Sequence, residues 1–253
     1  MKLSQQIDAA AEWIAGADHV VAFTGAGIST DSGLPDFRGP DGVWTRRDAG
    51  LPPPKASVSW DEVQPNPSHL ALVSLQKLGK LAYLISQNVD NLHLASGVDS
   101  ERIAELHGNG QLLRCLACDQ QMPHADVAWD KERWGTGYRT QAVRPGQPEC
   151  PRCRGRLISS VVNFSDPMPE RELTLSYMHS KRSDVFIAIG SSLVVSPANE
   201  MPRVALDSGA KLILINRGET PYDDAAHLHI SDSIGDVVPA IAERVASLLA
   251  ETG

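Results

Sequence analysis

The sequence predicts an α/β protein in which a parallel sheet carries helices on both faces and is interrupted by one small cysteine-bearing module. Three observations predict it. The runs Val20-Val21-Ala22-Phe23, Leu81-Ala82-Tyr83-Leu84-Ile85, Val185-Phe186-Ile187-Ala188-Ile189 and Leu212-Ile213-Leu214-Ile215 are apolar throughout, and continuous apolar strands need cover on both sides. Helical stretches alternate with them, as in parallel sheets built from crossover units. All four cysteines fall within residues 114–156, a stretch with several Pro and Gly and weak periodicity that breaks the alternation.

The elements can be justified in chain order. Ile7, Ala10, Ala11 and Ile14 share one face of a helix over 5–16, closed by Gly16. The first strand, 19–23, stops at Thr24-Gly25-Ala26-Gly27. Residues 40–67 are rich in proline and read as an irregular loop with room for one short helix. Pro67-Ser68 opens a helix through about Leu78, with Ser68 as its cap or first turn. Further strands are expected over 81–86, 184–189 and 211–215, with a short fifth over 228–230. Helices are expected at about 170–182, 197–208 and 234–250. The main domain then comprises 1–113 and 157–253, with 114–156 as its insert. Polar clusters follow the strand ends: Gly25 to Ser29, Gln87 to Asp90, Gly190 to Ser192, and Asn216. Ligands of parallel sheets bind at those carboxyl ends.

Lysine and arginine number 23 against 31 acidic residues, a formal charge of −8. Such a surface repels phosphate backbones, so stable nucleic-acid binding is not expected; steering of lysine-bearing partners is compatible with it. The opening Met1-Lys2-Leu3-Ser4-Gln5-Gln6-Ile7-Asp8 has no apolar segment followed by a small-residue cleavage site. No apolar run reaches the roughly 20 residues that span a bilayer. No membrane partner is expected, and the expected location is cytoplasmic.

Cys115-Leu116-Ala117-Cys118 and Cys150-Pro151-Arg152-Cys153 are two C-x-x-C knuckles. Each sets two sulfurs on one tight turn, and two such turns close a tetrahedral thiolate cage for zinc. Since all four are used, that site would be structural. Two redox pairs or four buried thiols are the alternatives. Residues 119–149 between the knuckles exceed the commonest zinc-ribbon spacing. Gly25-Ala26-Gly27-Ile28-Ser29-Thr30 matches the start of a dinucleotide fingerprint, but Thr30 stands where its third glycine would be. No second strand ends in an acidic residue about 20 positions on, which argues against an ordinary nicotinamide dehydrogenase. By itself the turn fits either a phosphate site or a plain strand–helix connection.

Downstream stand Ser32-Gly33-Leu34-Pro35-Asp36-Phe37-Arg38-Gly39, Gly42-Val43-Trp44, Gln87-Asn88-Val89-Asp90-Asn91-Leu92-His93, Glu105-Leu106-His107-Gly108 and Gly190-Ser191-Ser192-Leu193. In this order, with the cysteine quartet, they resemble the sirtuin family of NAD-dependent protein lysine deacylases. The resemblance runs from about Val20 to the final helix. Gly42-Val43-Trp44-Thr45 and Asn163-Phe164-Ser165-Asp166-Pro167-Met168-Pro169 are most similar to its nuclear, chromatin-associated branch. Two spellings depart from the family. Asn91 takes a place usually held by glycine. Phe164-Ser165-Asp166 replaces a usual Phe-Gly-Glu, a change that bears on acyl-chain or peptide preference more than on catalysis. The Tyr and Arg pair of the succinyl-removing branch is not visible in residues 45–66, so acidic acyl groups are disfavoured.

The resemblance implies a Rossmann-like fold, NAD as co-substrate, structural zinc on Cys115, Cys118, Cys150 and Cys153, and acyl-lysine proteins or peptides as partners. The acyl group would pass to ADP-ribose as nicotinamide leaves. Ile28, Asp36, Asn88 and Asp90 are implied to form the nicotinamide pocket, with Asp90 bonding the carboxamide and Phe37 covering the reactive sugar carbon. Arg38, a planar multi-donor cation, suits the phosphates or loop anchoring. Gly25, Ala26, Gly27, Thr30, Gln87, Gly190, Ser191, Ser192 and Asn216 are implied to hold the rest of the dinucleotide, with Trp44, Arg217 and Ile234 around it. His107 is the implied base for a ribose hydroxyl, while His93 reads as a helix or pocket-wall residue. Val162, Phe164 and Val194 are implied to line the acyl-lysine channel, where a substrate peptide would add as an extended strand. Mono-ADP-ribosyl transfer or NAD hydrolysis in the same pocket is the competing chemistry, and a non-catalytic NAD sensor or adaptor the competing class.

Overall fold

The computed structural model describes residues 1–60 and 62–252; Asp61, inside the stretch expected to be irregular, and Gly253 lie outside the described residues. The chain runs α1 (Leu3–Gly16), β1 (Val20–Thr24), α2 (Val43–Asp48), α3 (Pro67–Lys77), β2 (Leu81–Ser86), α4 (Leu92–Ser96), β3 (Ile103–Glu105), β4 (Leu112–Cys115), β5 (Gln121–Pro123), α5 (Lys131–Trp134), β6 (Leu157–Ser159), α6 (Glu170–Arg182), β7 (Val185–Ile189), α7 (Met201–Asp207), β8 (Lys211–Ile215), β9 (Leu228–Ile230) and α8 (Ile234–Thr252). Six strands form one sheet in the order β3-β2-β1-β7-β8-β9. Every pairing in it is parallel.

Each central strand divides its side chains between two cores, as a period of two requires. Val20, Ala22, Val185, Ile187, Ile213 and Ile215 meet Ala10 and Ile14 of α1, Leu72 of α3 and Val238 and Ile241 of α8 on one face. Val21, Phe23, Phe186, Ala188, Leu212 and Leu214 meet Met201 and Ala205 of α7 and Leu173 of α6 on the other. Burying both faces removes so much apolar area from water that this layer dominates the stability.

One expectation is refined and one boundary moves. The helix opens at Pro67 with Ser68 in its first turn, as expected, and the cap is Asn66, whose side chain accepts from the Ser68 and His69 amides. The Ser68 hydroxyl instead donates to the Ile234 carbonyl at 3.1 Å, joining α3 to the start of α8. The helix expected over 197–208 is a single 3-10 turn, Ala198–Glu200, followed by α7. Pro202 explains the break, because its ring and missing N–H suit the first turn of a new helix and not the interior of a longer one.

The cysteine-bearing stretch holds a separate antiparallel sheet, β5-β4-β6. It begins at Leu112 and ends at Ser159, slightly outside the 114–156 segment read from the cysteines. Leu113, Met122, Trp129, Trp134 and Leu157 form its own small core beside Cys115 and Cys150. No described helix is long and apolar enough to cross a membrane.

Candidate active site

The strand order creates the site. From β1 the sheet grows one way through β2 and β3, and from β7 the other way through β8 and β9. Where growth reverses, the flanking loops part and leave a crevice at the carboxyl ends. The glycine turn after β1 and Gly190 after β7 meet there. A Cβ on Gly25 would lie 2.7 Å from the Gly190 carbonyl oxygen, and one on Gly27 would lie 2.7 Å from the Gly190 Cα. Gly190, at φ 62°, would bring a Cβ within 2.5 Å of the Ile28 nitrogen. Only bare backbone fits, and bare backbone is what a pyrophosphate approaches most closely. Ala26 and Ile28 continue this turn, and the Thr30 hydroxyl, where the third glycine would stand, donates to the Gly27 carbonyl at 3.0 Å. These residues fit a dinucleotide.

The loop after β2 is tied into the same crevice. Gln87 Nε2 donates to Ser191 Oγ at 2.8 Å, bridging the ends of β2 and β7. Asn88 Nδ2 lies 3.2 Å from the Gly25 carbonyl oxygen and 3.3 Å from Ser29 Oγ. Ser29 in turn donates to Asp90 Oδ2 at 2.7 Å, and the Leu92 amide donates to Oδ1 at 2.9 Å. Burial pushes the Asp90 carboxyl up, while the bonds from Leu92 and Ser29 act the opposite way. Sequence reasoning passed over Ser29, because a serine beside a glycine turn carries no signal until its distant partner is known. His93, on α4, is buried with Nε2 2.8 Å from Thr24 Oγ1, as a wall residue should be.

His107 follows β3, whose register sets Glu105 beside Ser86 of β2. Its Nδ1 lies 2.9 Å from the Gln87 carbonyl oxygen. A carbonyl only accepts, so Nδ1 carries the proton and Nε2 keeps its lone pair. Burial lowers the His107 pKa below the ordinary 6.5, partly countered by the Gln87 carbonyl. The result is a neutral imidazole with one fixed donor and one open acceptor. Gly108, at φ 77°, admits no side chain, because a Cβ there would overlap the Ser160 carbonyl oxygen.

Aromatic rings from the segment after β1 and the segment after β6 cluster together. Trp44 stacks on Phe37 with centroids 5.7 Å apart and meets Phe164 edge-on at 5.9 Å. The Arg47 guanidinium lies 4.3 Å over the Trp44 ring. Phe37 and Phe164 remain 47% and 77% exposed, large apolar groups with uncovered faces. Asp36 Oδ1 accepts from the Gly39 amide at 2.9 Å and shapes this loop. Arg38 pairs with Asp48 at 3.2 Å, a loop anchor. The Val162 amide donates to the His107 carbonyl at 2.9 Å, which brings the segment of Val162 and Phe164 to His107. Val194, 49% exposed, lies on the loop after β7, beyond Ser192 and the buried Leu193. Asn216 and Arg217 follow β8 on the far side of the crevice, where Asn216 Nδ2 donates to the Gly218 carbonyl at 2.7 Å. Ile234 opens α8.

The four cysteine sulfurs lie within 4.8 Å of one another. Cys115 and Cys153 sulfurs are 3.4 Å apart and those of Cys118 and Cys150 3.8 Å. A tetrahedron of Zn–S bonds of about 2.3 Å separates its sulfurs by about 3.8 Å. None of the four forms a disulfide. Gly155 passes so near that a Cβ would stand 2.8 Å from Cys115 Sγ. The quartet fits one structural zinc ion, and two independent redox pairs do not explain its closure.

Comparison with known proteins agrees with this geometry. Residues 53–197 match the model of the Sir2 family. NAD-dependent protein deacetylase 1 of Pyrobaculum aerophilum is 39% identical over 266 residues, covering 97% of each chain. NAD-dependent protein deacylase 2 of Archaeoglobus fulgidus is 35% identical, covering 98% of this chain and all of its own. A solved Sir2 structure with a p53 peptide and NAD+ superimposes with a TM-score of 0.70 at 31% identity, covering 99% of this chain and 100% of that one. Glycine cradle, buried amide–carboxylate loop, neutral histidine and thiolate cage thus stand in a chain that belongs to the Sir2 family.

Proposed function

We propose that this chain is an NAD-dependent protein lysine deacylase, with His107 as its base. The carrying observation is the His107 tautomer: Nδ1–H committed to the Gln87 carbonyl, Nε2 open. When bound, NAD supplies a nicotinamide–ribose bond whose cleavage lets the sugar accept the acyl oxygen of a modified lysine. The chain's residues do the rest. Gly25, Gly27 and Gly190 present backbone to the phosphates, and Asn216 and Arg217 take the adenosine side. Asn88, Asp90 and Ser29 form one hydrogen-bonded set against the carboxamide. His107 Nε2 takes a proton from a ribose hydroxyl, which acid–base positioning of this kind speeds by roughly 10²–10⁴-fold. Phe37 and Trp44 exclude water from the sugar.

An acyl-lysine peptide adds between the loops of Val162–Phe164 and Val194–Ser196, with its aliphatic chain against Phe164. The expected cytoplasmic location is compatible with this reading. His107→Tyr tests it: deacylation of an acetyl-lysine peptide should fall by at least about 10²-fold with the melting temperature kept. Mass spectrometry of the wild-type products should find acylated ADP-ribose and free lysine. Bare ADP-ribose or ADP-ribosylated protein as the main product would replace deacylation by hydrolysis or transfer.

A further inference from the structure

Asn109 stands two residues past His107 and is completely buried. Its Oδ1 accepts from the Gln111 backbone amide at 2.9 Å, and a backbone N–H can only donate. That fixes which end of the amide faces which way. The two Nδ2 hydrogens then go to Glu105 Oε1 at 2.8 Å and to Asn91 Oδ1 at 2.9 Å. Glu105 belongs to β3 and is 7% exposed, and its backbone carbonyl accepts from the Gly108 amide at 2.9 Å. Asn91 follows Asp90 directly and sits at φ 67°. One buried amide therefore spans from the segment that carries His107 to the segment that carries Asn88 and Asp90. A backbone bond from Gly110 to the Val89 carbonyl, at 2.8 Å, runs between the same two segments.

Residue 91 meets both demands. Glycine, asparagine and aspartate are the residues that accept the left-handed conformation most readily. Glycine offers no side-chain acceptor to Asn109, and of the other two asparagine offers it without adding a carboxylate next to Asp90. Glu105 suits a passive acceptor role: burial pushes its carboxyl up to about 8, and nearby Asp90 and Glu172 act in the same direction against the bond from Asn109. Held as a neutral acid, it accepts one hydrogen bond much as glutamine would.

We propose that Asn91, Asn109 and Glu105 form a latch that positions the Asn88–Asp90 loop against the His107 loop, making Asn91 and Glu105 positioning residues for the NAD-dependent reaction. The proposal rests on the reading that Asp90 faces the nicotinamide and His107 the ribose. None of the three latch residues is asked to touch either substrate. Loosening the latch lowers the fraction of chains whose pocket is ready for NAD, and the apparent dissociation constant is the intrinsic one divided by that fraction. Once NAD is bound, the pocket is assembled and turnover proceeds.

Steady-state kinetics on N91G, E105Q and E105L test it, with NAD varied at saturating acetyl-lysine peptide. N91G permits the left-handed backbone angle and removes the acceptor. It should raise KM for NAD roughly fivefold to tenfold, the worth of one buried hydrogen bond, with kcat within about twofold. E105L should do the same, and E105Q should restore KM to within about twofold of wild type. If E105L does not fold, N91G and E105Q still decide. A KM for NAD in N91G indistinguishable from wild type overturns the latch. So does a uniform loss of kcat without the KM split, or an E105Q with KM raised as far as in N91G. D90N and H107Y, run alongside, separate the two ideas: if they keep full turnover the site reading itself fails, whereas dead D90N and H107Y beside a wild-type-like N91G remove the latch alone.

Discussion

At His107 a single hydrogen bond decides which nitrogen can work. Donation from Nδ1 to the Gln87 carbonyl leaves Nε2 as the acceptor, and burial keeps the ring neutral. The sign of the pH dependence follows. A base must be unprotonated, and its pKa lies below the ordinary 6.5, so activity should persist on acidification until below that value. The acid limb of kcat/KM, measured on an acetyl-lysine peptide, should therefore have its midpoint under pH 6.5. A midpoint above it would mean that a different group limits the rate. The role proposed for His107 rests on the resemblance carried by Glu105-Leu106-His107-Gly108, but its tautomer was not legible there. The tautomer depends on a carbonyl twenty residues earlier, brought near by the β2–β3 register. Ser29 was illegible for the same reason, since its meaning lies wholly in its contacts with Asp90 and Asn88.

The elements show how little sequence signal a short strand carries. Long apolar strands such as β1 and β7 announce themselves because every position is buried. Of the three-residue strands, β9 was expected but β3, β5 and β6 were not, since pairing and packing set such segments more than intrinsic preference. Yet β3 leads into His107, and Gly108 sets the direction in which the chain leaves it. Gly108→Ala would combine a left-handed alanine with overlap on the Ser160 carbonyl, a loss of about 2–5 kcal/mol. The expected result is a large drop in melting temperature with weaker NAD binding, checked by thermal denaturation with and without NAD. A stability matching wild type would show that the Ser160 segment yields easily. The glycine cradle around Gly190 is a comparable case: the motif was visible on each side, but not that the two sides touch.

Across the whole molecule the two layers differ in what holds them. The parallel sheet buries both faces between five helices. The small sheet has only a handful of core residues around its cysteines and depends on metal closure. Cys150→Ser should empty the metal site, read as zinc per chain by mass spectrometry, and speed amide exchange across residues 112–159. Exchange in the central strands β1, β7 and β8 should stay slow, because their cores do not include the cage. Retained zinc with unchanged exchange would show that three thiolates suffice.

The sequence by itself determined the class of fold, the residues of the four main strands and the zinc quartet, because each is written in local patterns of burial or ligand spacing, while the remaining site residues follow from the family resemblance. Tertiary structure alone decided the order of the strands, the contact of Gly25 and Gly27 with Gly190, the proton position on His107 and the path from Glu105 to Asn91. Those depend on pairings between residues far apart in the chain, and a parallel strand takes its neighbour from the way crossovers pack, which no local stretch of residues encodes.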